Sequence, residues 1–105
     1  SWVPSHVERM DDHCENPRYG ARDLISHPPS DYLKGGRIFF GCEGNESFLG
    51  RVVDEVGEGL FIFSSDYPHA DRTEGTAKTL RDRTDIPLAV RNKLLEQNAR
   101  QFYGI

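Results

Sequence analysis

Apolar residues recur along this chain with two different periods. Val3, Val7, Met10 and Cys14 fall at i, i+4, i+7 and i+11, which is one face of an amphipathic helix. Pro4 suits the first turn of that helix, where a missing N–H costs nothing. The helix ends near Asn16, because the residue before Pro17 disfavours helical backbone. Phe48, Leu49, Val52, Val53 and Val56 make a second stripe, stopped by Gly57. On either side of it lie two short runs, Arg37 to Cys42 and Leu60 to Ser65, with the length and aromatic content of strands. The order is strand, helix, strand, and the connection is long enough for the strands to run parallel, with a right-handed crossover. The Leu60 to Ser65 run has few polar positions, which predicts burial on both faces in an α/β sheet.

The remaining segments are read from their punctuation. Residues 17–29 hold three prolines and little periodicity, which predicts an extended connection. Ser30 is placed to cap a short turn, Asp31 to Lys34, closed by Gly35-Gly36. Asn45 is placed to cap the second stripe, with Glu46 near the positive end of its dipole. Thr76 to Arg83 predicts two helical turns. Asp85 is expected to cap a closing helix whose apolar side carries Leu88, Leu95, Ala99 and Phe102, with Leu94 beside it.

Composition narrows the classes of function. The chain has 105 residues, 36% of them hydrophobic and 29% charged, with a net charge of −4. That length suits one small unit, and we treat residues 1–105 as a single one. The charges are mixed in sign and form no basic stripe, so nucleic acid and anionic membranes are not expected partners. No apolar run reaches membrane length. Cys14 and Cys42 are isolated and read as reduced packing residues, which suits a cytoplasmic protein.

Candidate chemistry gathers where the second strand stops. Leu60 to Ser65 runs into Asp66-Tyr67-Pro68-His69-Ala70-Asp71. In α/β sheets the reacting groups sit just past the carboxyl ends of the strands. Carboxylates and an imidazole there can bind a metal or move protons. Asp66 equally suits a turn and Pro68 a strand stop. A two-histidine, one-carboxylate site built on His69 and Asp71 would need a later histidine, and none follows. Glu43 lies just past the first strand, on the same predicted edge, and is a second-rank candidate. Ser64 and Ser65 lack the Gly-x-Ser-x-Gly setting of a hydrolase nucleophile.

The run Ser64-Ser65-Asp66-Tyr67-Pro68-His69 resembles the last barrel strand of the amidohydrolase-related metal-dependent hydrolases, the group that includes aminocarboxymuconate-semialdehyde decarboxylase. Trp2-Val3-Pro4 through Arg9-Met10-Asp11 resembles the helix after that family's sixth strand. Pro29-Ser30-Asp31-Tyr32 resembles the segment before its seventh. Asn98-Ala99 through Phe102-Tyr103-Gly104-Ile105 resembles its closing helix. The resemblance implies a β-α-β core with flanking helices, the C-terminal quarter of a TIM-like (β/α)8 barrel, which in full takes about 250 residues.

It also implies metal-assisted hydrolysis or decarboxylation of a small organic acid. Asp66 would be metal ligand and catalytic carboxylate, His69 and Glu43 would line the site, and zinc or manganese would be the cofactor. The family's remaining ligands come from a His-x-His and later histidines on earlier strands, and no His-x-His occurs here. The expectation is a segment that is incomplete alone and binds metal poorly in isolation, unless oligomerisation or other histidines compensate. The alternative is a non-catalytic binding or oligomerisation module. Two strands leave open edges, which predicts a homo-oligomer.

Overall fold

The computed structural model describes residues 2–70 and 73–105. Helix α1 spans Val3–Glu15 and is followed by 3-10 turns at Pro17–Tyr19 and Ala21–Asp23. Helix α2 is Pro29–Leu33, strand β1 is Phe40–Cys42, helix α3 is Leu49–Val56 and strand β2 is Phe61–Phe63. Helix α4 is Thr76–Asp82. The closing helix has three parts: α5 at Leu88–Asn92, a π-helical turn at Lys93–Gln97, and α6 at Asn98–Tyr103.

The α/β reading holds in its coarse form. β1 and β2 pair in parallel, with Phe40 opposite Phe61, Gly41 opposite Ile62 and Cys42 opposite Phe63. By the two-residue period of a strand, Phe40, Cys42, Phe61 and Phe63 share one face. That face meets the core, in which Val3, Leu33, Leu49, Val52, Val53, Leu80, Ile86 and Leu94 are buried with Cys42 and Phe61. Gly41 and Ile62 point the other way. A Cβ built on Gly41 would meet no atom within 4 Å. The expectation that β2 is buried on both faces is therefore corrected: Phe61 is buried, but Ile62 and Phe63 are only half-buried. Ile62 is not among the residues packed against the core, and a strand needs a covering layer on each side to be buried on both.

Helix α1 follows its sequence pattern, with Val3 and Cys14 buried and Val7 and Met10 half-buried. The stretch after it is not simply extended, because Asn16 Oδ1 accepts a hydrogen bond from the Arg18 N–H at 3.0 Å and starts a 3-10 turn. Gly57 ends α3 as expected, with φ at 127°, where a Cβ would be strained.

Three expected caps are replaced by other contacts. Ser30 lies inside α2, and its N–H donates to Asp11 Oδ1 at 2.9 Å, joining α2 to α1. Asn45 does not cap α3, because Phe48 holds that position and Asn45 Nδ2 donates to Thr73 Oγ1 at 3.0 Å. Asp85 does not cap α5, because its carboxylate accepts from Arg83 instead.

The closing helix buries a different side from the expected one. Leu88 and Phe102 are exposed, at 61% and 53%, while Leu94 is fully buried and Asn98 nearly so. The π-helical turn breaks the 3.6-residue period in the middle of the helix. The inward line runs through half-buried Val90 and buried Leu94 and Asn98, flanked by half-buried Leu95 and Ala99. Asn98 has a specific task. Its Nδ2 donates to Glu58 O at 2.7 Å and to Phe61 O at 2.8 Å, fastening the helix to the entry of β2. Lys93 pairs with Glu58 one turn earlier.

Candidate active site at the carboxyl edge of the sheet

Parallel pairing puts both strand exits on the same edge. Cys42 lies opposite Phe63, so Glu43 and Ser64 leave the sheet level with each other. The Ser64 N–H donates to Cys42 O at 2.8 Å and closes the ladder there.

Beyond Ser64 the chain turns sharply. Asp66 adopts φ of 54°, in the left-handed region that Asp tolerates better than most side chains. Two hydroxyls shape the turn: Ser64 Oγ accepts from the Asp66 N–H at 3.3 Å, and Ser65 Oγ from the Tyr67 N–H at 3.4 Å. The Asp66 carbonyl then accepts from the His69 N–H at 3.0 Å. The Tyr67–Pro68 peptide is cis. This geometry brings Asp66 Oδ1 within 3.8 Å of His69 Nε2, with the two side chains 39% and 69% exposed. Asp71 lies outside the described residues.

Glu43 takes part in its own loop. Its N–H donates to Glu46 Oε1 at 3.0 Å, so a side chain three residues on holds the exit of β1. The next residue, Gly44, is buried against α4. A Cβ there would stand 2.0 Å from the Thr76 carbonyl oxygen, so only glycine allows the loop to lie this close. Arg83, 12% exposed in its side chain, locks the arrangement. Its Nη1 donates to Gly44 O at 3.0 Å and Glu46 O at 2.6 Å. Its Nε and Nη2 donate to the two carboxylate oxygens of Asp85 at 2.9 and 2.7 Å. The fork geometry of a guanidinium suits this set.

The electrostatics follow from these contacts. Hydrogen bonding from Arg83 holds the Asp85 carboxyl below its usual range, and the same bond raises Arg83. Cys42 is pushed up to about 12, first by burial and then by the charge of Glu46, with Arg83 opposing. Burial thus disfavours the thiolate, the form of a cysteine that reacts.

A family model described as amidohydrolase matches residues 10–105. The chain belongs to the amidohydrolase family. No curated protein matches the chain. Members of the family typically use divalent metals. Among the described residues of this amidohydrolase chain, the donors do not make such a centre. Among the described residues no three His, Cys, Asp or Glu side chains come together as metal ligands. Asp66 and His69 form a pair, whereas catalytic zinc takes three protein ligands and a water. His6, His13 and His27 lie on α1 and before α2, and their ring contacts are with Trp2, Tyr19 and Tyr32. Among the described residues no helix is long and apolar enough to cross a membrane.

Sequence reasoning thus located the edge and its carboxylates but missed Arg83, Asn45 and Asp85 as the parts that hold it. The Arg83–Asp85 pair, two residues apart, was a visible signal. The carbonyls that Arg83 grips lie 37 and 39 residues away and left no trace in the local pattern.

Proposed function

We propose that this chain is a C-terminal segment of an amidohydrolase-type hydrolase or decarboxylase. It would form the last two strands of a (β/α)8 barrel and act on a small organic acid. The observation that carries the reading is the Asp66 turn: a half-exposed carboxylate, in left-handed backbone, at the carboxyl edge of a parallel sheet in an amidohydrolase chain. That edge is where barrel enzymes hold their reacting groups. Asp66 would accept a proton from the attacking water or, in a decarboxylase, act on the substrate acid. His69, facing it, would orient the carboxylate, and Glu43 would line the site from the neighbouring strand exit. The remaining polar groups of the site would come from outside these 105 residues. The open face at Gly41 and the unpaired outer edge of β1 leave room for further strands, contributed by a longer polypeptide or by other copies of the chain.

A second reading is favoured by the lack of a third donor among the described residues: a non-catalytic stand-alone remnant acting as a binding or oligomerisation module. The gene separates the two. A reading frame that continues upstream of Ser1 through a His-x-His motif supports the enzyme segment, and a start codon close to Ser1 supports the module. In the polypeptide that the frame encodes, Asp66→Asn is expected to abolish hydrolysis or release of carbon dioxide while leaving the circular dichroism unchanged. Retained turnover in that variant would remove Asp66 from the mechanism.

A further inference from the structure

Two loops leave the carboxyl edge, and they differ in how they are held. The Asp66–His69 turn is shaped by its own hydroxyls and carbonyl. The Glu43–Glu46 loop is gripped from a distance. Arg83 reaches it from beyond α4, bonding Gly44 O and Glu46 O with one nitrogen and Asp85 with the other two. Gly44 lies against the Thr76 carbonyl and Leu80, at the start and middle of α4. Asn45 Nδ2 bonds Thr73 Oγ1, on the segment that joins the Asp66 turn to α4. The three contacts converge: one loop carries Glu43, and Thr73, to which Asn45 bonds, lies four positions after His69 in the sequence.

We propose that Arg83 is a positioning residue, which fixes the Glu43 loop against the Thr73–Thr76 segment and so sets the stance of the two strand exits relative to each other. Asp85 holds the guanidinium in the plane that both carbonyls need. The inference rests on the reading of this edge as the catalytic one, but its test does not depend on turnover. Arg83 acts through the loop and is assigned no contact with substrate. A lysine is not equivalent, because one ammonium lacks the rigid fork that serves two carbonyls and a carboxylate together.

The two buried cysteines provide the readout. Cys42 ends β1 directly beneath the gripped loop, and Cys14 lies at the far end of α1. In Arg83→Ala the loop is expected to open locally. Alkylation of Cys42 then rises by about tenfold, as for loss of a hydrogen bond to a charged group, while Cys14 keeps its rate. The imidazole resonances of His69 shift as well. Arg83→Lys gives the same pattern to a smaller extent, and it serves if the alanine variant does not fold. Equal acceleration at both cysteines would show a general stability contribution and overturn the proposal. So would unchanged labelling at both. Faster Cys42 labelling with unmoved His69 resonances would show a grip confined to β1, and would overturn it too. Failure here leaves the Asp66 assignment standing, since Asp66→Asn tests that separately through turnover.

Discussion

The two ends of β2 are built on opposite principles. At the entry, Asn98 spans Glu58 O and Phe61 O, Lys93 pairs with Glu58, and Leu94 is fully buried against the strand. At the exit, Asp66 and His69 stand half-exposed and exposed on a turn fastened by short-range bonds to Ser64 and Ser65. Three residues of strand separate a packed end from an open one. Barrel enzymes divide labour in the same way, with stability at the amino ends of the strands and chemistry at the carboxyl ends. The difference teaches that carboxylate and imidazole are exposed here by design of the turn, while the cost of ordering the strand is met at its other end.

Substitutions at the two ends should separate sharply. The largest effect is expected for Leu94→Ala, which empties a fully buried site on the helix facing β2 and should cost about 2–5 kcal/mol in urea denaturation. A cost below about 1 kcal/mol would mean that the closing helix is not firmly seated. Asn98→Ala comes next. It leaves two backbone carbonyls without their donor and should cost about 1–3 kcal/mol. At the other end, Asp66→Asn should change stability by no more than about 0.5 kcal/mol, since asparagine tolerates the same left-handed backbone and the turn hydroxyls remain. A large loss in that variant would make Asp66 a structural residue and erase the contrast.

The smallest effect is one of pH. Arg83 depresses the Asp85 carboxyl, so the pair stabilises the fold fully above the unfolded value of about 3.9. That contribution fades as pH falls through the depressed folded value. The side chain of Asp85 is 53% exposed, so solvent screening keeps the effect small. The gap in denaturation midpoint between the native chain and Asp85→Asn should therefore narrow between about pH 6 and about pH 3. A gap that widened on acidification would contradict the pairing.

Much of the fold could be read from local pattern. The Val3, Val7, Met10, Cys14 face and the stop at Gly57 are properties of one helix each, and periodicity reports them directly. The parallel β1–β2 pair follows from strand, helix and strand in close order. The closing helix resisted, because a π-helical turn cannot be seen in a 3.6-residue pattern, and Leu88 and Phe102 were placed on a face that Leu94 and Asn98 occupy. Asn45 and Asp85 resisted for another reason. Each has the chemistry of a cap, and each is taken by a partner that local pattern does not assign to it, Thr73 in one case and Arg83 in the other. The same limit applies to the candidate site. The sequence places Glu43 and Asp66 on one edge. The grip on the Glu43 loop depends on the chain folding back through α4.

We propose Asp66 as a carboxylate donor at a strand exit, and among the described residues no three His, Cys, Asp or Glu side chains join to complete a metal centre. The most direct test is metal content of the 105-residue chain, by plasma mass spectrometry after removal of loosely bound ions, with Asp66→Asn in parallel. The account predicts zinc and manganese well below one ion per chain in both proteins. About one ion per chain, lost in Asp66→Asn, would contradict it and show that these residues assemble a complete centre by themselves.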